Sequence, residues 1–430
     1  MATMPLAPFA DEFKIAAAVP TDSSPATASR PTALPTTEER LLARARENLH
    51  DIQFNGTSFS GPGWELLVRE GRASDFFLLG EEHGIAQVPR LARELFLALR
   101  PAGYDKLVIE LSAPIADDLD HAALGGLEGI RSYYRTYPPG PAFYSWQDEA
   151  ELLASVRAMI PGSERAIWGI DYEVLGDRQM IRHLRDNAPA AALRPIAQLA
   201  EASESGWRGV RERGELGGLL MFSGDPQMVR AVRTAWPSPD SRSAVILDTL
   251  QQTMEINALM RTSNWSSNER RAAFGRASMI RLLAAEQARG RGTRALVKMG
   301  ANHLIRGVNW VGVHDVGALL PEVAAWRGGR TFHLLVGGGA DSTHATVNPQ
   351  MGVTSAPANM LKEAFGLEFL LKELPQTGLT LLDLRPLRPL ATGSARLREL
   401  NNAEAVRIIH GYDAILIWNG TTATAPLPLD

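Results

Sequence analysis

The chain contains no cysteine among its 430 residues. It therefore has no disulfide, no thiolate metal ligand and no cysteine nucleophile. It also lacks any apolar run near the roughly 18 residues that a bilayer-spanning helix requires. These absences favour a cytoplasmic protein without a membrane span, and they leave a periplasmic location open.

Basic residues are not in excess either. The net charge is -4, and acidic and basic residues are interspersed. A nucleic-acid partner is not expected, because a surface that binds one shows a basic patch or stripe. We expect a small-molecule or peptide substrate as the partner, and the composition leaves the oligomeric state open. At this length, two lobes or one domain with a large insertion are expected.

Several common catalytic signatures are missing. The sequence has no Walker phosphate loop, no Gly-x-Gly-x-x-Gly after a strand, no His-Glu-x-x-His and no Gly-x-Ser-x-Gly. Residues 56–61 come near the last of these, but they precede the first strong strand and their final glycine is one residue late. Neither a serine-elbow hydrolase nor a zincin is therefore supported.

The sequence does contain one short motif that occurs twice. The apolar residues 76–79 lead into Gly80-Glu81-Glu82-His83, and residues 296–299 lead into Gly300-Ala301-Asn302-His303. An apolar run ended by glycine is typical of a buried strand that turns sharply. Ligands of open α/β sheets bind at the carboxyl ends of strands. The pattern predicts that His83 and His303 belong to one site.

The rest of the chain alternates between strand and helix patterns. Further apolar runs predict strands at 106–111, 166–171, 332–336, 379–384 and 414–418, with helices starting near 36 and covering 88–99 and 148–159. This alternation predicts an α/β fold with a mostly parallel central sheet flanked by helices. We expect a disordered tail over 1–40, a core over 41–175 and 291–430, and a large helical insertion, a lid or cap, over 176–290.

Two further acids end predicted strands. Glu110 and Asp171 each follow an apolar run, and a buried carboxylate requires a partner. Glu110 is expected in the site, with a structural ion pair as the alternative, and Asp171 is a substrate-binding candidate or an anchor for its loop. One of Glu81 and Glu82 could serve only to cap a helix, and the sequence leaves open which of the two is catalytic.

Other candidates come from positions near these strand ends and from the helical segment. We expect substrate contacts from Tyr172, Asn302 and Arg306. We also expect Arg270 and Arg276 to reach the pocket and pair with an anionic group of the substrate. The first interpretation of these arginines and of their neighbour Arg271, from the sequence alone, is a solvated helix face. The remaining histidines, including His333 and His344, have no comparable context.

These motifs resemble those of the superfamily of erythromycin esterases, ChaN-like haem-binding proteins and TraB/Tiki metalloproteases. The twin Gly-x-x-His is similar to the TraB/Tiki signature, and residues 78–84 look like the opening motif of the esterase-like and ChaN-like proteins. The resemblance covers about residues 65–425, through the segments 168–171, 299–303, 381–385 and 412–417. The esterases place two residues between glutamate and histidine, whereas one follows Glu81 here and none follows Glu82.

The resemblance implies a bacterial esterase-like hydrolase that acts on an ester or amide, or a related acyl-transfer or ring-closing enzyme. His83 would be the base, oriented by Glu81 or Glu82, and His303 with Arg306 would stabilise an oxyanion or protonate the leaving group. No cofactor is certain. If a divalent metal (Zn, Mn or Co) takes part, His83, Glu110 and His303 would be its natural nitrogen and oxygen ligands.

The same superfamily also leaves open a different class of function, ligand binding without catalysis. A ChaN-like protein would hold haem or another ligand without turnover. Haem would require an exposed axial ligand on an apolar face. The cluster of Tyr133, Tyr134 and Tyr137 offers candidates, although these side chains equally suit the wall of a substrate pocket.

Overall fold

The chain builds one large mixed sheet with helices on both faces. The computed structural model describes residues 35–137, 143–160, 162, 164–348, 352–392 and 403–430. The tail predicted to be disordered lies outside the described residues up to residue 34, and the first helix begins at Thr37. The described elements belong to one unit, Thr37–Asp430.

Eleven strands are present in the described part of the chain. They are β1 Leu49–Phe54, β2 Phe59–Ser60, β3 Phe76–Glu81, β4 Tyr104–Ile109, β5 Ile167–Gly169, β6 Arg294–Gly300, β7 Thr331–Gly338, β8 Thr343–Asn348, β9 Gly352–Pro357, β10 Leu379–Asp383 and β11 Ala414–Trp418. Nine form one sheet in the order β2-β1-β10-β11-β7-β3-β6-β4-β5, and β8 and β9 form a separate antiparallel hairpin. The six strands from β11 to β5 run parallel, which confirms the predicted fold class.

Helices cover both faces of the sheet. They are α1 Thr37–Arg46, α2 Pro62–Arg72, α3 Gln87–Leu99, α4 Ala113–Ala122, α5 Gly126–Thr136, α6 Gln147–Met159, α7 Asp177–Asn187, α8 Ala190–Arg213, α9 Leu220–Ser223, α10 Gln227–Ala235, α11 Ser241–Met260, α12 Asn264–Ala288, α13 Ala301–Leu304, α14 Val316–Trp326, α15 Glu368–Leu371 and α16 Ala403–Gly411. None of those in the described ranges has the length and apolar content needed to cross a membrane.

The centre of the sheet is buried on both faces. In β3, Phe77 and Leu79 pack into one apolar cluster, while Phe76 and Leu78 pack into another on the opposite face. Parallel strands covered on both faces are apolar at nearly every position. The sequence runs that predicted β3 to β7 are likewise apolar at nearly every position.

The segment between β5 and β6 contains six helices, α7 to α12, and no strand. Its interior is apolar and includes the buried Trp207. Two of its long helices begin with side-chain caps: Asp240 accepts from the amides of Arg242 and Ser243, and Ser263 accepts from that of Ser266. Such caps satisfy amides that the helix itself leaves free. The segment is therefore helical, as the sequence predicted.

The sequence missed β1, β2 and the β8–β9 hairpin. β1 lies near the edge of the sheet and buries fully only Ile52. A half-exposed strand gives no continuous apolar run. Two strand ends also differ from the prediction, because β3 extends to Glu81 and β4 ends at Ile109. Glu81 is therefore the last residue of its strand, and Glu110 lies just beyond its own.

Candidate active site

A cleft of about 680 Å³ lies at the carboxyl ends of the central parallel strands. Its floor is polar and its walls are largely apolar. The polar lining residues are Glu81, Glu82, His83, Glu110, Asp171, Glu173, Arg271, Asn302, His303, His344, Thr346 and Asn359. The apolar and aromatic ones include Leu111, Phe143, Trp146, Tyr172, Val174, Trp310 and Met360.

The sheet register brings the two histidine motifs side by side. β6 lies between β3 and β4, and Glu81 of β3 pairs with Gly300 of β6. The two Gly-x-x-His patterns are thus offset by one residue. The ends of the three strands still place His83, Glu110 and His303 together.

His83 is held between two carboxylates. Its Nδ1 lies 2.9 Å from Glu81 Oε1, and its Nε2 lies 3.3 Å from Glu110 Oε2. The ring of Phe143 stacks on the imidazole, with 4.0 Å between the ring centroids. A Cβ on Gly300 would lie only 2.8 Å from His83 Nε2. The close approach of His83 to β6 therefore requires glycine at that position.

His303 is held in the same manner from the other side. Its Nδ1 lies 2.8 Å from Asp315 Oδ2, and its Nε2 lies 3.3 Å from Glu110 Oε1. Glu110 thus faces one histidine with each oxygen. The backbone amide of Gly300 donates to Glu110 Oε2 at 2.7 Å. Arg271 donates to Oε1 at 2.8 Å. Glu110 is the centre of the cluster.

The charged groups in this cluster shift one another's pKa values. Burial lowers the pKa of His83, but Glu110 and Glu81 outweigh burial and raise it to about 9. Burial likewise opposes the rise for His303, where Glu110 and Asp315 raise the pKa to about 10. Burial would raise the pKa of Glu110, yet the two histidines hold it well below its usual range. Without substrate, both histidines are therefore cations at neutral pH.

The structure separates the two adjacent glutamates. Glu81 faces His83 and accepts a hydrogen bond from the buried Lys298 at 2.8 Å. Glu82 instead accepts from three backbone amides, those of Gly338 at 3.2 Å, Asn359 at 3.0 Å and Met360 at 3.1 Å. Glu82 fixes the loops that form the cleft wall, which leaves Glu81 as the partner of His83.

Asp171 lies at the same edge of the sheet and pairs with an arginine. Both of its carboxylate oxygens accept from Arg271, one of them at 3.0 Å. The guanidinium also stacks over the ring of Tyr172, 4.4 Å from the centroid. Asp171 and Tyr172 line the cleft as expected, but Asp171 is engaged by the protein itself.

Three predicted arginines lie elsewhere. Arg270 pairs with Glu255, Arg276 donates to the carbonyl of His314, and Arg306 pairs with Asp413 at 2.8 Å; none of the three lines the cleft. The arginine that enters is Arg271, one position after Arg270. Since Arg271 is already bound to two carboxylates, it is not a free cation for an anionic substrate. The expectation of such a contact through Arg270 or Arg276 is not met, because both point to partners outside the cleft.

Several cleft residues were not predicted. His344, from the β8–β9 hairpin, places Nδ1 3.0 Å from the backbone oxygen of His83. Phe143 was missed as well, because it precedes α6 in a segment without a regular helix or strand, and such a segment gives no sequence pattern. Asn302, which was predicted, lines the cleft and accepts from the amide of Trp310 at 3.2 Å. For Lys298 a signal existed, since it is the one charged residue inside an apolar run.

The proposed metal ligands are already held by one another. In the part of the chain that the structure describes, no group of three or more His, Cys, Asp or Glu side chains is placed to hold a metal ion. Both oxygens of Glu110 have hydrogen-bond donors, one of them the Arg271 cation. A second cation there would be repelled by the first. The arrangement of His83, Glu110 and His303 does not fit a metal site.

The tyrosines considered for haem lie outside this cleft. Tyr134 is buried and its hydroxyl donates to the carbonyl of Tyr144 at 2.7 Å. Tyr133 and Tyr137 line a separate cavity of about 320 Å³. None of the three provides an axial ligand at the histidine cluster.

No family model matches the sequence, and no curated protein matches it. Solved structures do match. A mutant of the erythromycin esterase EreC in its open conformation superposes with a TM-score of 0.54 at 12% identity, over 85% of this chain and 95% of that one. The chain has the fold of an erythromycin esterase.

Two more solved structures share this fold. A Bacillus cereus protein matches with a TM-score of 0.56 at 12% identity, over 92% of this chain and 100% of that one. A succinoglycan biosynthesis protein matches with a TM-score of 0.58 at 11% identity, over 90% and 98%. At such identities the likeness describes the fold alone, and the reaction must be argued from the cleft.

Proposed function

We propose that this protein is a hydrolase of the erythromycin esterase type. It would cleave an ester or amide with water activated by His83, or pass the acyl group to another nucleophile, including one in the same molecule. The likeness of fold to an esterase supports the class. The chemistry of the cleft supports the roles of individual residues.

One observation carries the proposal: two histidines with carboxylate-held Nδ1 atoms point their Nε2 atoms at the same carboxylate on the floor of a cleft. A histidine whose Nδ1–H is fixed in this way presents Nε2 to a reacting proton. Two of them side by side can supply both a base and an acid. Ester hydrolysis requires both within one turnover.

In the proposed reaction, neutral His83 accepts a proton from water through Nε2 as the oxygen attacks the carbonyl carbon. His303, still protonated, stabilises the developing oxyanion and then protonates the leaving oxygen or nitrogen. Glu110 stabilises the positive charge that His83 gains. Because the pKa of His83 is about 9, only the minor, neutral form acts as base near pH 7.

The test is an assay of the purified protein against a panel of ester, lactone and amide substrates. We expect turnover that is lost in His83→Ala and that persists after treatment with a chelator, since no step uses a metal. Equal turnover by the wild type and His83→Ala on every active substrate would overturn the proposal. Turnover that chelation abolishes and a divalent metal restores would refute its metal-free form.

A further inference from the structure

Behind His83, its partner Glu81 belongs to a buried ion-pair trio, and the reaction above gives no role to the other two members. Lys298 of β6 has no exposed surface. Its ammonium donates to Glu81 Oε1 at 2.8 Å and to Glu149 Oε1 of α6 at 2.6 Å. The three side chains come from β6, the end of β3 and α6. We define them as the lysine trio.

Burying the charged groups of the lysine trio in the core costs desolvation free energy. Lys298 is the one charged residue between Ala295 and Met299, and Glu149 is 2% exposed. The second oxygen of Glu149 is buried and, among the described residues, has no hydrogen-bond partner. Replacing a buried ion pair by apolar side chains of similar volume is often neutral or stabilising. Stability alone therefore does not explain why this trio is present.

The shared atom points to another explanation. Glu81 Oε1 accepts from Lys298 and also lies 2.9 Å from His83 Nδ1. A carboxylate that is tied at one oxygen to a buried lysine cannot rotate away from the imidazole. Its acceptor oxygen keeps a proton on Nδ1, and Nε2 then faces Glu110 and the cleft. Partners of this kind fix ring orientation and the position of the proton.

We propose that Lys298 and Glu149 are positioning residues for His83 that act through Glu81. This inference rests on the proposed function in one respect, since a loss of turnover requires His83 to take part in the reaction. His303 provides an internal reference, because its Nδ1 is held by Asp315 and does not depend on Lys298.

The decisive variant replaces both charges at once: Lys298→Met with Glu149→Leu. Both substitutions keep similar volume and remove Lys298 together with its partner Glu149, while Glu81 keeps its contact with His83 Nδ1. We expect an unchanged or higher melting temperature, a kcat lower by about 10- to 100-fold, and a KM within about threefold of the wild type. A purely structural trio would instead leave kcat per folded molecule unchanged, whether or not the melting temperature changes.

Lys106→Met is the matched control. Lys106 is also a buried lysine, lies in the neighbouring strand β4 and pairs with Asp105 at 3.0 Å, but it lines a different cavity. We expect its kcat to remain at the wild-type value. An equal loss of kcat in this control and in the double variant would overturn the proposal, because any lost buried lysine would then have the same effect.

A second readout does not depend on turnover. In a proton NMR spectrum, the Nδ1–H resonance of His83 is the downfield signal that is missing in His83→Ala. We expect it to broaden or vanish in the double variant, while the His303 signal stays. If the His83 signal and kcat are both unchanged, the proposal is wrong. If the wild type shows no His83-dependent turnover, the proposed function fails and the NMR signal alone decides the positioning role.

Discussion

His83 and His303 occupy equivalent places in the cleft but differ in what surrounds them. Each directs Nδ1 to a carboxylate and Nε2 to Glu110. His83 is 25% exposed, while His303 is 12% exposed. The carboxylate of His83 is tied to a buried lysine, whereas Asp315 of His303 also accepts from the amide of Val316 at the start of α14.

This difference separates the two roles. The more exposed histidine can meet water and a substrate carbonyl, and its pKa of about 9 lies closer to neutrality than the value of about 10 at His303. A base must lose its proton before it acts, while an acid must keep it. The surroundings therefore favour His83 as base and His303 as acid.

The largest effect is expected from His83→Ala. Removing the base should lower kcat/KM by about 10² to 10⁴-fold. The melting temperature should also fall, because the buried Glu81 and Glu110 lose a cation, so activity is compared per folded molecule. His303→Ala should cost less, about 10- to 10²-fold, because water can protonate some leaving groups. Steady-state kinetics on both variants tests the order. A larger loss in His303→Ala would reverse the assigned roles.

The next effect separates the adjacent glutamates. Glu81→Gln removes the carboxylate that faces His83 and should reduce kcat by about 10- to 10²-fold. Glu82→Gln weakens three bonds from backbone amides, so it should lower the melting temperature and affect kcat less. Kinetics and thermal denaturation of the pair distinguish the two. Equal kinetic effects would contradict the assignment of Glu81 as the partner of His83.

Glu110→Gln should change the pH dependence of kcat/KM, because Glu110 faces both histidines. The charge of Glu110 is the main influence that raises the pKa of His83 and His303. Without it, His83 loses its proton at lower pH. The rising limb of kcat/KM, near pH 9 in the wild type, should therefore shift to lower pH, while the maximum rate falls. A limb that stays in place would show that another group controls it.

The smallest effect on turnover is expected at the arginine that reaches Glu110. Arg271→Met leaves the buried Asp171 without its cation and Glu110 with only the two histidines. It should cost about 3 kcal/mol or more of unfolding free energy, with roughly a tenfold loss of kcat. The control is Arg270→Met on the same helix, where the ion pair is partly exposed and worth at most about 1 kcal/mol. Similar losses in both variants would contradict the special position of Arg271.

Buried strands and their ends could be predicted from the sequence, but contacts between distant side chains could not. The interiors of β3 and β6 are apolar apart from Lys298, because both sheet faces are covered, so the strand ends that lead to His83 and His303 could be recognised. The half-exposed β1 and the polar hairpin that presents His344 gave no such signal. Hairpin residues reach this cleft through tertiary contacts, among them the hydrogen bond from the amide of Ala345 to the carbonyl of Gly84.

The choice among the arginines failed for a different reason. The buried positions of α12 are mostly small or polar, including Ala272, Gly275 and Ser278. A helix with such a buried face shows little contrast between its sides, so the inward direction is hard to assign. Arg271 lies four residues before Gly275 and so shares its face. The four-residue spacing from Gly275 therefore indicated, though weakly, that Arg271 is the arginine that points inward.

The order of strands in the sheet also determines when the protein can become active during its synthesis. β3 lies between β6 and β7, both of which begin more than 200 residues after β3 ends. At typical translation rates, β3 waits about 10–50 s for these neighbours. Its apolar residues meanwhile lack both neighbouring strands. We therefore expect a nascent chain that needs protection from aggregation and has no activity until its last third has emerged.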